Sequence, residues 1–462
     1  MTAVQAPVSA LTDSFKDLGV NAPLAGYSIG VDSQKRAHQK KLLSEAEKKA
    51  KIYETSYEPS LDWWTADQKA YVKPENDPLP EGFPEQDHAA SDWDGRVLIN
   101  QPEKFLYKFT PEDISLIDKA HDHFISLNLH NNLISPSTFP IPEDSTLYKA
   151  LRNAEHEINH GLGLRVLRGL PVDEWTREKQ LAVFVGVSSY ISEKRIKQGL
   201  QNVVHLRDIT NLDVDKRPAI TVKGQTSGNQ VYHNDGSAGI IGLITLGVAE
   251  TGGLSQLASV AHTYNELART RRDIVRELAK DDWVNKQYPD GKPLFFTHNN
   301  RVISSYSRRP FFGFYEADAD VPPLPTAKHL ALDAVHFTAE RFGLDLDLEK
   351  GDLEYFNNLT VFHARTSSSD SPTNARHLVR IWLQNPSFYA SSIPPQLAAL
   401  YDRINEGEAH GWPLEAWDSV DPYHEFKDAE RKRQEGEGEG KEGKEGKKEG
   451  PGEPVIAGNA VY

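Results

Sequence analysis

Three stretches of the chain hold side chains whose types and spacing can do chemistry. His233-Asn234-Asp235 places an imidazole and a carboxylate two residues apart, and it is the only H-x-D in the sequence. On a strand, residues i and i+2 project to one face. Such a pair, joined by a distant histidine, makes the facial triad of non-heme Fe(II) oxygenases. The second stretch is GDLEYFNNLTVFHART (351–366), which sets Val361, His363 and Arg365 on one strand face. The third is RHLVRIWL (376–383), where Arg376, Leu378, Arg380 and Trp382 share a face. Both faces of that strand are otherwise apolar, so its arginines are expected to be buried, and a buried guanidinium needs an anion beside it. An oxygenase that uses 2-oxoglutarate needs a buried cation for the distal carboxylate. Arginine suits that task because it stays charged and grips carboxylates bidentately.

A competing constellation is His156-Glu157-Ile158-Asn159-His160, a literal H-E-x-x-H. On a helix its two histidines fall on one face, and the glutamate can act as base on a zinc-bound water. Gly161 closes the helix at the second histidine, and Val166 stands where the third histidine of the extended zinc-peptidase pattern belongs. The plain alternative is an amphipathic helix whose terminal histidines suit the helix dipole. A zinc metallopeptidase built on His156, Glu157 and His160 is therefore one rival reading, and a non-catalytic jelly-roll binding protein is another.

Composition narrows the field. There are no cysteines, which excludes disulfides, iron–sulfur clusters and thiol nucleophiles and leaves any metal to His, Asp or Glu. The formal net charge of -15 argues against a nucleic-acid partner, whose phosphates demand Lys and Arg. No run of 18 apolar residues is present, and residues 1–30 lack a basic start followed by an apolar core. The expectation is a soluble, cytoplasmic protein acting on a small-molecule substrate, with no membrane association. Self-association into a homo-oligomer is left open.

The elements that must position these residues follow from the pattern. Residues 1–103 read as an N-terminal extension with a basic helix at 33–55 and a Pro/Trp/Asp-rich arm that wraps the body in extended form. Helices are expected at 111–128 (Thr110 before Pro111 and Glu112), 144–160, 176–192, 261–279 and 326–342. Strands are expected at 164–170, repeatedly between 200 and 260, at 293–316, 353–365 and 376–384. Strands with helical interruptions, not βαβ alternation, predict a mainly β fold with helical insertions, over a domain at 104–426. The Gly/Glu/Lys-rich tail 427–462 is predicted to be disordered. The Asn358-Leu359-Thr360 sequon lies on an expected core strand and is read as incidental.

NQVYHND (229–235), AETGGLSQLASVAHTYNEL (249–267), GDLEYFNNLTVFHART (351–366) and RHLVR (376–380) occur in the order and at the distances of one family. Over roughly 105–390 the chain resembles the taurine dioxygenase/clavaminate synthase-like Fe(II)/2-oxoglutarate dioxygenases. The resemblance implies a double-stranded β-helix (jelly-roll, cupin-like) core. It implies that His233, Asp235 and His363 ligate Fe(II), and that 2-oxoglutarate and O2 are cosubstrates. Carried over by position, Arg380 and Ser255 hold 2-oxoglutarate, while Arg376 and Asn229 face the substrate. Asp235 disfavours halogenation, because halogenating relatives carry a small residue there. The lack of cysteine excludes the zinc module of the trimethyllysine and butyrobetaine hydroxylases. The reaction expected is hydroxylation, desaturation or oxidative cyclisation of a small polar metabolite, such as an amino acid or sulfonate, in natural-product biosynthesis.

Overall fold

The structure is a computed structural model that describes residues 58–199, 201–210, 223–285, 288, 290–312, 324–405, 409 and 411–416. The expected basic helix at 33–55 and the tail 427–462 lie outside these residues. No helix among the described residues is long and apolar enough to cross a membrane.

Two sheets face one another. Numbered along the chain, the larger runs β1 (Leu106–Lys108), β2 (Leu164–Arg168), β12 (Leu353–Asn357), β6 (Ile240–Gly247), β15 (His377–Leu383) and β3 (Arg195–Ile196). Strand β4 (Val203–Arg207) also pairs with β15. The smaller sheet runs β11 (Leu344–Leu346), β8 (Ser255–Ser259), β13 (Val361–Arg365) and β5 (Gln230–His233). Two short ribbons complete the β-structure, β9 (Phe295–His298) with β10 (Arg301–Ser304), and β7 (Thr251–Gly252) with β14 (Ser368–Ser369). Apart from the parallel β1–β2 pair, the ladders of both sheets are antiparallel. This is the expected jelly-roll core.

Alternation along each strand sorts the side chains into layers. Leu243, Phe356, Leu378 and Trp382 from the larger sheet meet Leu257, Leu344 and Val361 from the smaller one. The opposite face of the larger sheet, with Ile244, Tyr355, Val379 and Ile381, packs on helices α2 (Pro111–Ser126), α3 (Thr146–His160) and α4 (Arg177–Ser188). The opposite face of the smaller sheet, with Val231, Ala258 and Phe362, packs on α5 (Val260–Thr270), α6 (Arg272–Leu278) and α7 (Thr326–Arg341). Because helices cover both outer faces, β6 is buried at all of its positions and reads as an apolar run, IIGLITLG, without alternation. The helices start where the sequence says they should. Thr110 and Asp113 form a reciprocal capping box on α2, and Ser145, Thr176 and Ser259 cap α3, α4 and α5.

Two expectations are corrected. The arm at 56–103 is not wholly extended: Ser60 caps a helix α1 (Leu61–Ala70) whose Trp64 enters the core beside α5–α7. The single helix expected at 261–279 is two helices, broken at Arg271 (φ -143°, ψ 63°). There the Arg271 guanidinium is buried in ion pairs with Asp67 of α1 and Asp273, at 2.6 and 2.7 Å, and these contacts outweigh helix continuity.

The turn between β12 and β13 fixes the chain near the histidines. Asn358 is fully buried, which agrees with the sequon being incidental. Its Oδ1 accepts from the Asp235 N–H at 2.8 Å, and its Nδ2 donates to the carbonyls of Asp235 and Ala238 at 2.7 and 2.9 Å. Asn358→Ala should destabilise the protein by roughly 2–4 kcal/mol, because one buried N–H and two buried carbonyls lose their partner. A lower denaturation midpoint with an unchanged m-value is the expected result in equilibrium unfolding.

Candidate active site

Strands β5 and β13 lie antiparallel, and His233 is registered directly opposite His363. Their rings sit 4.1 Å apart between centroids. The His233 Nδ1 is matched to the Val231 carbonyl at 2.8 Å, so its Nε2 is the atom turned to the cavity. Strand β5 ends at His233. Strand parity therefore does not place Asp235, as the sequence pattern suggested; the turn around Asn234 and Asn358 does. Asn234 donates to the Asn358 and Val361 carbonyls at 2.7 and 3.1 Å and accepts from the Tyr306 N–H at 3.0 Å.

The Asp235 carboxylate is 1% exposed, and its two oxygens have different surroundings. Oδ2 accepts from Arg380 at 2.8 Å and from the Trp382 indole at 2.9 Å. Oδ1 is buried with no hydrogen-bond partner, and it faces the Nε2 atoms of His233 and His363 at 3.7 and 3.8 Å. The three ligand atoms lie within 4.8 Å of one another, and among the described residues no other group of three such side chains does. Burial would raise Asp235, but Arg380 and both histidines outweigh it and hold the carboxylate below its usual range. Burial pushes His233 down, and burial together with His233 pushes His363 well down. Two neutral imidazoles and one anionic carboxylate, with an orphaned oxygen between them, fit a divalent metal ion. Among the described residues no third carboxylate or imidazole forms a ligand group with His156 and His160, whose rings lie 5.3 Å apart and tilted at 42° at the end of α3, so the peptidase constellation is not assembled there.

The chain belongs to the TauD/TfdA dioxygenase family. The model of the family described as "Taurine catabolism dioxygenase TauD, TfdA family" matches residues 127–382. A "Taurine hydroxylase-like protein SAT17" of Stachybotrys chartarum is 30% identical over 327 residues, covering 68% of this chain and 83% of that one. An "FR-33289 synthase" of Streptomyces rubellomurinus is 27% identical over 51% of this chain and 73% of its own. A solved non-heme iron oxygenase, OrfP, in complex with Fe and alpha-ketoglutaric acid, aligns at 14% identity and a TM-score of 0.45, over 60% of this chain and 94% of that one. As a TauD/TfdA-family enzyme the chain is a non-heme Fe(II)- and 2-oxoglutarate-dependent oxygenase. The iron and the cosubstrate supply the oxidising chemistry, and the protein supplies ligation and orientation.

One cavity contains the triad together with Ser255, Arg376 and Arg380, but Ser255 and Arg380 have different partners. Ser255 does not meet Arg380. Its hydroxyl donates to Glu354 at 2.8 and 3.0 Å. The guanidinium that acts on Glu354 is Arg376, whereas Arg380 acts on Asp235, His233 and His363. Alternation correctly predicts that both arginines face inward, yet four residues of strand separate them by about 13 Å, so they serve opposite ends of the cavity. Arg376 makes no ion pair among the described residues, its Nε has no partner, and only its backbone N–H reaches Asp370. Asn229 is also placed differently from its expectation. Its amide donates to Glu58 at 3.3 Å, and its neighbour Gln230, which points the other way on the strand, lines the cavity.

Three contributors were not recognised in the sequence. Gln198 accepts from Arg380 Nε at 2.7 Å and steadies it against Asp235. Trp382 was placed on the correct face without a task. Arg309 is buried, lines the cavity and acts on His233. The readable signal for Trp382 was its i+2 relation to Arg380. For Arg309 no periodic pattern existed.

Partners that orient a metal ligand typically change metal affinity 10- to 100-fold when removed. Trp382→Phe keeps an aromatic ring and deletes the N–H to Asp235. Its Fe(II) affinity, measured anaerobically by chelator competition, should fall about 10-fold with little change in Tm, whereas His363→Ala should lose the ion outright.

Proposed function

We propose that the cavity oxidises a small anionic metabolite, with 2-oxoglutarate anchored by Arg376 and Ser255 and the acidic group of the substrate met at the Arg380–Arg309 end. His233, Asp235 and His363 are the proposed Fe(II) ligands. The carrying observation is the division of the cavity into two halves. Arg380 touches a proposed metal ligand directly, so it lies at the metal end. Ser255, Glu354 and Arg376 lie together away from the triad, where the far carboxylate of a five-carbon diacid must end if its keto-acid end chelates the metal. This exchanges the roles that the resemblance suggested for Arg376 and Arg380 and keeps the role of Ser255.

Charge supports an anionic substrate. The cavity is lined by Arg308, Arg309, Arg365, Arg376 and Arg380, and among the described residues Asp235 is the one acid that lines it. Arg308 is matched by Asp333. A divalent ion more than offsets Asp235, a 2-oxoglutarate dianion offsets two positive charges, and the remainder favours a substrate with a carboxylate, sulfonate or phosphonate. An amino acid or sulfonate of secondary metabolism fits that description, as does the name of the taurine hydroxylase-like relative. A cytoplasmic location belongs to the same proposal as a secondary element.

The test is a succinate-release screen that compares acidic compounds with matched neutral ones: taurine with ethanolamine, and L-aspartate with L-asparagine. Acidic members should stimulate turnover more. Arg376→Ala should raise the KM for 2-oxoglutarate about 10- to 100-fold, the equivalent of losing a charge-assisted hydrogen-bond pair. Arg380→Ala should leave that KM within a few-fold and uncouple succinate release from substrate oxidation. The reverse pattern would return the cosubstrate anchor to Arg380.

A further inference from the structure

Glu354 is a buried acid that no iron ligation uses, and it occupies the donor meant for another carboxylate. It is 1% exposed, on β12, between apolar cross-strand neighbours, Val166 on β2 and Leu243 on β6. From the smaller sheet Ser255 reaches it with its hydroxyl, bridging both carboxylate oxygens at 2.8 and 3.0 Å. Ser255 is registered opposite Arg365 of β13. Arg376, just before β15, attracts the Glu354 carboxylate, and Asp352, just before β12, repels it. Arg376 is in turn acted on by Arg365 and Asp370.

A serine hydroxyl has one proton to donate. While Glu354 is ionised it takes that proton, and Ser255 cannot also donate to the far carboxylate of 2-oxoglutarate. Two carboxylates would then compete for Arg376, with Arg365 the second cation beside them, in a buried site where neighbouring like charges disfavour each other's ionisation. A proton on Glu354 resolves both conflicts. The acid donates to Ser255 Oγ, the serine proton turns toward the ligand, and Arg376 faces a single new anion.

We propose that Glu354 is a proton-coupled positioning residue for 2-oxoglutarate: it takes up one proton from solvent when the cosubstrate binds and relays it, through Ser255, as a hydrogen bond to the distal carboxylate. No covalent bond to carbon changes. The proposal rests on the reading that Ser255 and Arg376 receive that carboxylate. Burial, with Asp352 adding to it, already raises Glu354 to about 7 against the pull of Ser255 and Arg376, so the proton is within reach at ordinary pH. Burial pushes His233 and His363 down and Asp235 is held down; with Mn(II) bound, their ligand atoms are committed to the ion.

The experiment is calorimetric titration of 2-oxoglutarate into the full-length protein loaded with Mn(II), at about pH 6, 7 and 8, in buffers of different ionisation heat. Above about pH 7 the wild type should take up close to one proton per 2-oxoglutarate, and its Kd should rise toward tenfold per pH unit; below that the Kd should level off. Glu354→Gln presents an N–H to Ser255 as the neutral acid does. Its proton uptake should vanish, its Kd should be flat with pH, and at pH 8 it should bind at least as tightly as wild type. Wild-type binding without proton uptake, or the same pH profile in both proteins, overturns the proposal; the wild-type proton count decides even if the variant does not fold. No binding of 2-oxoglutarate at any pH is a different result, which overturns the cosubstrate reading itself and this proposal with it.

Discussion

A carboxylate almost sealed from water is the constraint around which the core is arranged. Asp235 loses its hydration, a loss that in a protein interior must be matched by opposite charge and hydrogen bonds or the group takes a proton. Arg380 and Trp382 supply both, and they do so to one oxygen only. Because their side chains share a face of β15, one strand delivers the guanidinium and the indole in a fixed relation. The other oxygen is left bare toward two neutral imidazoles of the opposite sheet. The candidate ligand set therefore spans both sheets of the sandwich. The histidines come from the smaller sheet, and the orientation of the carboxylate comes from the larger one. Any slip between the sheets would separate the bare oxygen from the imidazoles, which makes the apolar layer of Leu243, Phe356, Trp382, Leu257 and Val361 part of the metal chemistry as well as of stability.

The second half of the cavity solves a similar problem differently. Arg376 and Arg365 are two cations in a desolvated place, and each makes charge on the other less favourable. Glu354 and Asp370 offset them in part. Full neutralisation would leave no reason for an anionic cosubstrate to enter, whereas none would leave two buried guanidinium groups too costly to fold around. An acid of intermediate proton affinity sits between these limits. The approach to Ser255 depends on backbone as well. Gly252 and Gly253 turn the chain into β8 with φ of 71° and 76°, a region that residues with a Cβ seldom adopt, and a Cβ on Gly253 would press on the Arg376 side chain at 3.1 Å.

What the sequence could show follows from which quantities are periodic. The i+2 rule correctly puts Arg376 and Arg380 on the inner face, and it puts His363 beside Val361 and Arg365. The resemblance led to the right fold because its four motifs are spaced as one jelly roll requires. Side-chain reach is not periodic. Which arginine meets Ser255 depends on the offset between two sheets and on where two long side chains lean, and no one-dimensional pattern carries that. Asp235 was expected from strand parity, but two asparagines in a turn place it. Those asparagines look unremarkable in HND and FNNL until their carbonyl partners are known. Glu354 stands in GDLEYF as one more acid beside Asp352, and only its buried partners Ser255 and Arg376 mark it as part of a site.

The N-terminal arm shows the same contest between local and tertiary preference. The family match begins at residue 127, yet residues before it complete the layer over the smaller sheet. Trp93 joins the core between the sheets, Ser259 at the start of α5 bonds to the Ser91 carbonyl, and Asp87 accepts from the Val302 N–H of β10 at 2.7 Å. Arg271 carries the clearest cost of this docking. Continuing α5 into α6 would have kept one regular helix of good amphipathic pattern. The chain breaks it instead, so that a guanidinium can be clasped by Asp67 and Asp273 and lie on the rings of Trp64 and Tyr71. A break of that kind is stable only when the arm is in place, because without Asp67 and the two rings Arg271 would keep one of its two ion pairs and lose its cover. The extension is therefore coupled to the helices that back β5, β8 and β13, and through them to the strands that carry both histidines.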